Sequence, residues 1–246
     1  IKKYGKIWII GDFMNLKVLY EDNHIIVVVK PAGIPVQADK SGDKDMLTIV
    51  KEYIKEKYNK PGNVYLGLVH RLDRMVGGVM VFARTSKAAS RISEYIRQKN
   101  VKKKYLAIVN GKLNVSNEKI MLKNYIYKDE RNNMSKIVSK DKKNAKEAIL
   151  EYQVLKNIQY KGKEYSLVDV DLHTGRHHQI RLQFANIGNP LFGDMKYGID
   201  VNKKGNNIAL FSYYLSFYHP TKDEYLEFEF KPYEQDKFDD IWSECK

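Results

Sequence analysis

The sequence has almost no cysteine and no long apolar run. Cys245 is the single cysteine, so no disulfide can form within the chain and no cysteine-based zinc site can be built. Scarce cysteine is typical of a reducing compartment, and we predict a cytoplasmic protein. No stretch approaches the roughly 18 consecutive apolar residues that a membrane helix needs. We therefore expect no membrane partner.

The first residues also lack the features of a signal peptide. Residues 1–13 combine lysines with the short apolar patch IWII and contain no small-residue cleavage site. Met14 begins a stretch that resembles the start of an independent reading frame. We interpret residues 1–18 as an N-terminal extension, with residues 1–13 an upstream addition or an alternative start. A single domain is predicted over residues 19–246, which is long enough for a substantial core.

Acidic residues are too few to balance the basic ones. The chain has 43 lysines and arginines against 30 aspartates and glutamates, a formal net charge of +13. Basic side chains neutralise phosphates and release counterions, so nucleic acid is the first partner to consider. A merely soluble basic protein is the alternative that charge alone leaves open.

The apolar pattern predicts many strands and few helices. Strands are predicted at 24–30, 64–70, 76–83, 103–111, 164–174, 208–220 and 225–232, and helices at 46–58, 86–99 and 175–188. Residues 112–144 are expected to form edge strands and loops. Residues 145–159 begin with helical propensity, but EYQVLKNI alternates like a strand. Strands without regular alternation with helices favour an α+β fold with a largely antiparallel sheet.

One carboxylate stands out within LVHRLDRMVGG, residues 68–78. Asp73 lies between Arg71 and Arg74. Nearby positive charge favours the ionised form of a carboxyl group, and a carboxylate can act as a nucleophile toward a sugar or base carbon. A structural ion pair between the aspartate and the arginines explains the same residues equally well.

A second basic cluster opens the predicted helix at 175–188. Its first two turns would carry Arg176, His177, His178, Gln179 and Arg181. Basic and amide groups at a helix N-terminus form a phosphate-binding surface. Adjacent histidines on a helix point about 100° apart, which disfavours a metal site. In the following GDMKYG, Asp194 and Tyr197 taken alone indicate a solvated loop.

Two strands carry further polar patterns. In KKKYLAIV, residues 102–109, lysines precede Tyr105, so this strand could follow a nucleic-acid backbone and stack a base; a core or edge tyrosine is the simpler explanation. Asp169 and Asp171 would point to one face of a strand. Such pairs bind magnesium in nucleases, although a solvated strand face explains them as well.

Together these segments resemble one family. KPAGIPVQ, HRLD, KKYLAIV, TGRHHQIR and GDMKYG occur in this order and resemble the RluA-type pseudouridine synthases of rRNA and tRNA, from about Leu19 to about Pro232. The resemblance implies the pseudouridine synthase catalytic fold, an α+β domain with a mixed, mostly antiparallel central sheet, flanking helices and a central RNA-binding cleft. It implies isomerisation of uridine in structured RNA, and no metal or organic cofactor, because the product is an isomer. We expect a monomer.

The resemblance also assigns roles to residues. Asp73 corresponds to the essential nucleophile, Tyr105 to a tyrosine that packs on the target base and is a candidate general base, and Arg181 to an arginine that pairs with the aspartate. Attack on the ribose, attack on the base and a glycal route all remain open. Predicted RNA contacts are Arg71, which would help hold the place of the flipped base, and Arg74, Lys103, Arg176, His178 and Gln179.

The chain departs from the family pattern in places. Val76-Gly77-Gly78 stands where Thr-Ser-Gly is common, which removes two hydroxyls beside the catalytic loop, and His177 replaces a small polar residue. Residues 1–18 are too short for the N-terminal RNA-binding domain of many relatives, so we expect the short form. A catalytically silent RNA-binding protein on the same fold and a magnesium nuclease using Asp169 and Asp171 are the alternatives.

Overall fold

The structure, a computed structural model, describes residues 16–235 and 239–246. Residues 1–15 of the N-terminal extension predicted over residues 1–18 lie outside them, and the first strand begins at Lys17. The described residues form two units, one of residues 16–101 with Tyr214–Phe230, the other of Lys102–Tyr213 with the C-terminal residues.

Strands outnumber helices in both units. The strands are β1 (Lys17–Glu21), β2 (Ile25–Lys30), β3 (Gly67–Leu68), β4 (Gly77–Ala83), β5 (Lys102–Asn110), β6 (Ile120–Asp129), β7 (Met134–Val138), β8 (Lys146–Tyr160), β9 (Lys163–Leu172), β10 (Leu210–Tyr218) and β11 (Tyr225–Glu229). The helices are α1 (Met46–Lys57), α2 (Ser86–Arg97) and α3 (Gln179–Asn186), with 3-10 turns at Pro232–Glu234 and Asp240–Cys245. The predicted α+β class is confirmed. No helix in the described part of the chain is long and apolar enough to cross a membrane.

In the first unit, strand β2 lies between β1 and β4 and pairs antiparallel with both. Its sequence IIVVVK is buried throughout, as a β-branched run between two neighbouring strands should be. The side chain of Asp45 caps α1 and that of Thr85 caps α2. Both helices match the prediction, whereas the strand predicted at 64–70 is reduced to β3.

In the second unit the strand order is β5-β9-β8-β6-β7, and the neighbours pair antiparallel. The ambiguous segment 145–159 is strand β8. Its alternation of buried and partly exposed residues decides the matter, because every second side chain packs into the core. The β6–β7 hairpin places β7 at the end of the strand order, which confirms the edge strand expected within 112–144.

The pairing register gives the two faces of this sheet different chemistry. Tyr105 lies opposite Val170, which lies opposite Tyr152; directly opposed residues share a face. Lys103, two positions before Tyr105, therefore lies on that face too. Asp169 and Asp171 lie on the other face. Helix α3 packs on the Tyr105 face, where the rings of Phe184 and Tyr152 are 5.0 Å apart.

The helix predicted at 175–188 starts later than expected. It begins at Gln179, after His178 in the left-handed conformation with φ of 54°. The preceding residues turn instead, because the Gln179 side chain accepts a hydrogen bond from the backbone N–H of Arg176 at 3.0 Å. The prediction that His177 and His178 lie on a helix and point apart is wrong. Their rings stack with centroids 3.7 Å apart.

Candidate active site

Asp73 lies in the tight loop that leads into β4. Leu72, just before it, is buried, and Asp73 itself is half-buried. The backbone N–H of Val76 donates to the carbonyl of Asp73 at 3.0 Å, which closes the turn. The N–H of Gly33 donates to the carbonyl of Arg74 at 2.9 Å and ties this loop to the one after β2. The carboxylate is therefore presented by a loop with backbone bonds on both sides.

The buried side chain of Lys30 fixes the same loop. This last residue of β2 is fully buried, and its Nζ donates to the carbonyls of Pro31, Ile34 and Arg74 at 2.9, 2.7 and 2.9 Å. Burial lowers the pKa of Lys30 to about 7, whereas the negative charge of Asp73 raises it. We assign the ammonium form, because only the ammonium has three donors for three carbonyls.

Lys30 therefore supplies positive charge that acts on Asp73 from within the first unit. This role of Lys30 was not predicted from the sequence. The available signal was a lysine that continues a fully apolar strand directly before a proline, where an unpaired ammonium would be costly.

The two arginines that flank Asp73 differ in their surroundings. Arg74 turns to the loop after β2, where it donates to the Gly33 carbonyl and the Ser41 hydroxyl, both at 2.9 Å, and forms ion pairs with Asp39 and Asp43. Arg71 is exposed. Arg74 is thus engaged by acids of the loop after β2, and the nucleophilic role of Asp73 stays a prediction.

In the second unit, Tyr105 lies on β5 and is 6% exposed. Burial raises the pKa of Tyr105 to about 12, although a hydrogen bond with Ser212 opposes this. The phenol is therefore neutral at physiological pH. On the same face, burial lowers the pKa of the half-buried Lys103 to about 8. Lys103 forms no ion pair in the described part of the chain, so its charge is available to an anion from outside.

Arg181 is held rigidly inside the second unit. Its Nε and Nη2 each donate to one carboxylate oxygen of Asp194 at 2.7 Å, and both side chains are almost completely buried. The ring of Tyr197 lies 5.3 Å from the guanidinium carbon. The expectation that Asp194 and Tyr197 belong to a solvated loop is wrong, because a bidentate partner on α3 makes burial of the aspartate favourable.

A chain of hydrogen bonds connects this pair to strand β7. The Tyr197 hydroxyl accepts from the backbone N–H of Ser135 at 2.8 Å and bonds His178 Nδ1 at 2.9 Å. The Ser135 hydroxyl bonds both Nδ1 and the carbonyl of His177 at 2.9 Å. Ser135 therefore fixes the turn before α3 at two points. Nothing in the local sequence pattern indicates it.

The turn at 173–178 is built by its own polar side chains. The buried Gln179 Oε1 accepts from the Thr174 hydroxyl at 2.8 Å as well as from the Arg176 N–H. Arg176 Nε donates to the carbonyl of Glu147 at 2.7 Å. Arg176, His178 and Gln179 thus shape the loop, and their contact with RNA stays a prediction.

The carboxylates of β9 are occupied by neighbouring side chains. Asp169 accepts from the Tyr213 hydroxyl at 3.0 Å, and Lys104 lies 3.6 Å away. Asp171 forms a cluster with Glu151 and His173 of the kind that can hold a metal. The ammonium of Lys119 already lies 3.4 and 3.7 Å from the two carboxylates. These groups also lie on the sheet face opposite Tyr105, which favours a structural role.

Comparison with known proteins agrees with the motifs. Residues 24–186 match the family model described as RNA pseudouridylate synthase. An uncharacterized RNA pseudouridine synthase of Aquifex aeolicus is 34% identical over 240 residues, which cover 93% of this chain and 72% of that protein. The tRNA pseudouridine synthase C of Haemophilus influenzae is 31% identical over 226 residues, covering 86% of this chain and 90% of its own length.

The fold has a solved counterpart as well. The human RNA pseudouridylate synthase domain containing 1 protein superposes with a TM-score of 0.72 over 93% of this chain and 89% of its own, at 23% identity. This likeness supports the fold, and the sequence matches identify the family. The chain belongs to the RNA pseudouridylate synthase family, whose members are isomerases.

Proposed function

We propose that this RNA pseudouridine synthase isomerises a specific uridine in structured rRNA or tRNA and uses Asp73 as its nucleophile. The observation that carries the proposal is a half-buried carboxylate on a loop pinned by a fully buried lysine. Lys30 braces the loop and contributes positive charge that favours the ionised carboxylate. The tRNA named for the Haemophilus influenzae relative and the positive net charge support an RNA substrate.

The reaction exchanges one bond for another. The bond from ribose C1′ to uracil N1 breaks, the uracil turns, and C1′ bonds to C5, whose proton leaves while N1 gains one. The product is an isomer, so no redox partner is consumed. The target uridine has to leave its stack, which costs a few kcal/mol that phosphate contacts and aromatic stacking can offset.

We infer a stacking role for Tyr105 and a charge-stabilising role for Arg181. A phenol with a pKa of about 12 stays neutral at physiological pH, so its aromatic face suits a base better than its oxygen suits proton removal. The bidentate bond to Asp194 fixes the Arg181 guanidinium before any substrate arrives. A group fixed in advance needs little reorganisation during the reaction.

The contacts around Val76-Gly77-Gly78 favour an active enzyme over a catalytically silent RNA-binding protein. The missing Thr and Ser hydroxyls would weaken a loop that depended on them. Here Val76 is buried and its N–H closes the turn on Asp73, and Lys30 bonds the Arg74 carbonyl. Bracing by these contacts supports a rigid loop, which a nucleophile requires.

The test is isomerisation of rRNA and tRNA transcripts tritiated at uridine C5, followed by tritium release. Wild type should release tritium from the substrate RNA, and Asp73→Asn should lower the rate by about 1,000-fold or more. Asp171→Asn is the matched control, since it makes the same chemical change on strand β9 of the second unit and should retain activity.

Three results would contradict the proposal. Release by Asp73→Asn at the wild-type rate would refute the nucleophile. Salt-sensitive binding without release from any RNA would favour the silent RNA-binding protein. RNA cleavage that stops with a chelator and with Asp171→Asn would favour a magnesium nuclease.

A further inference from the structure

A strongly basic segment of the second unit is not used by the proposed chemistry. We call residues 136–146 the basic loop; it comprises the second half of β7, the connection that follows and the first residue of β8. It contains the lysines Lys136, Lys140, Lys142, Lys143 and Lys146 and one acid, Asp141. These give it a net charge of +4, against +13 for the whole chain.

The lysines of the basic loop differ from Lys104, Lys119 and Lys123 of the same unit because they form no ion pair with a described residue, although the charge of Lys136 lowers the pKa of Asp129. Lys104, Lys119 and Lys123 each form an ion pair with an acid of β8 or β9. The five lysines of the basic loop are all exposed, and none forms an ion pair within residues 16–235 and 239–246. Asp141 accepts instead from the Ser139 hydroxyl at 3.2 Å. Concentrated like charge of this kind suits a polyanion from outside.

The loop also has a defined conformation. The N–H of Lys142 donates to the Ser139 carbonyl at 3.1 Å, and the N–H of Ala145 donates to the Lys142 carbonyl at 2.9 Å. The Lys142 ammonium lies 5.7 Å from the ring centre of Tyr127. Tyr127 is directly opposite Lys136 in the β6–β7 register, so both side chains share a face. Aromatic and cationic groups are thereby interleaved, as on surfaces that follow a nucleic-acid strand.

The basic loop leads into the turn that precedes α3. Its last residue, Lys146, adjoins Glu147, whose carbonyl accepts from Arg176 Nε at 2.7 Å. Cations therefore continue from Arg176 in the turn to Lys136 at the edge strand. We propose that the basic loop binds the phosphate backbone of the substrate RNA at nucleotides that flank the target uridine. This inference rests on the proposed function and adds the place where the rest of the RNA is held.

The test compares two variants of the full chain that lose equal charge. One replaces Lys140, Lys142, Lys143 and Lys146 by Gln. The control replaces Lys112, Lys163, Lys203 and Lys204, which are exposed lysines of the same unit without ion pairs in its described part. The dissociation constant for the substrate RNA is measured by fluorescence anisotropy from about 50 to 200 mM salt, where counterion release is readily resolved.

We expect the basic-loop variant to bind about 10- to 100-fold more weakly, with the slope of log Kd against log salt reduced by about 2 to 4, because roughly 0.7 to 0.9 counterions are released per phosphate contact. Its KM in the tritium assay should rise by the same factor, with kcat at saturating RNA within about twofold of wild type. The control variant should differ from wild type by less than about threefold.

Equal weakening by both variants would show an effect of net charge alone and overturn the proposal. An unchanged salt slope would also overturn it and leave another polyanion, such as an acidic protein, as the partner of the loop. The two proposals fail separately. If the basic-loop variant showed the reduced salt slope but wild type did not isomerise RNA, the proposed enzyme activity would be refuted and the RNA-binding role of the basic loop would stand. If wild type isomerised RNA but the variant had an unchanged salt slope, only the role of the basic loop would be refuted.

Discussion

At the scale of single residues, Lys30 is the side chain on which the Asp73 loop most depends. We expect Lys30→Met to lower the free energy of unfolding by about 3–5 kcal/mol, because three buried carbonyls lose their donor at once. Isomerisation should fall at least tenfold even where the variant stays folded, since the Arg74 carbonyl is no longer tied to β2. Urea unfolding and tritium release measure the two effects.

The matched control for Lys30 is Lys51→Met on the exposed side of α1. It makes the same chemical change where nothing is buried, and a difference of less than about 0.5 kcal/mol is expected. If Lys30→Met were as stable and as active as this control, the bracing role of Lys30 would be refuted.

At the scale of elements, strand β7 reaches the turn before α3 through Ser135. Ser135→Ala removes both hydroxyl bonds to His177 but keeps the backbone N–H that donates to Tyr197. We expect a loss of about 1–2 kcal/mol, with amide exchange at residues 176–180 faster by about tenfold. The value of kcat should fall several-fold while KM changes little, because the turn leads directly to Arg181.

Ser139→Ala is the control for this element, because among the described residues the Ser139 hydroxyl bonds Asp141, within the basic loop. Exchange at residues 176–180 should match wild type in that variant. A KM effect without a kcat effect in Ser135→Ala would indicate that β7 serves RNA binding and does not position Arg181.

The local sequence pattern predicts those helices whose ends and buried faces are set by neighbouring residues. Helices α1 and α2 follow from apolar spacing, and the Thr85 cap lies where its side chain can reach the first turn. The same pattern gave the wrong start for α3. The helix begins four residues later than predicted, because His178 adopts the left-handed conformation and the Gln179 side chain bonds the preceding turn. No single-residue propensity encodes that choice, because it depends on bonds that form only when the turn closes.

In the candidate site, too, some residues could be predicted from the sequence and others could not. The ordered motifs single out Asp73, Tyr105 and Arg181 because their neighbours in sequence are distinctive. Asp194, by contrast, is buried against Arg181, which lies on a separate element and bonds it twice. The contacts of Lys30 with the Asp73 loop cross 44 positions of sequence. Such partners follow from tertiary structure and cannot be derived from spacing alone.

At the scale of the whole chain, the first unit unites segments about 200 residues apart, and Asp22 is their polar junction. Its carboxylate accepts from the N–H groups of His24 and Ile25 at 2.8 and 2.9 Å. It also bonds His219 and Lys222, from the β10–β11 hairpin, both at 2.9 Å. His219 Nδ1 accepts from the N–H of Lys222 at 3.0 Å, so Nε2 carries the proton that it donates to Asp22.

This junction predicts a stability that depends on acid. Burial by itself raises the pKa of Asp22, but the His24 N–H, Lys222 and His219 outweigh it and hold the pKa well below its usual 3.8. A carboxyl with a lowered pKa stabilises the folded state above about pH 4, and this contribution is lost as the pH falls through the folded value. Asp22→Asn should therefore cost about 2–4 kcal/mol at pH 7, because His219 and Lys222 lose their acceptor.

Native-state hydrogen exchange of the β1, β2 and β11 amides measures this effect within the first unit. At pH 7 these amides should exchange faster in Asp22→Asn, and the difference from wild type should shrink as the pH falls below about 4. Asp223→Asn, an exposed change in the same hairpin turn, should exchange as wild type does at both values. A difference that persisted unchanged in acid would mean that the Asp22 side chain acts through packing, and that its charge does not hold the two segments together.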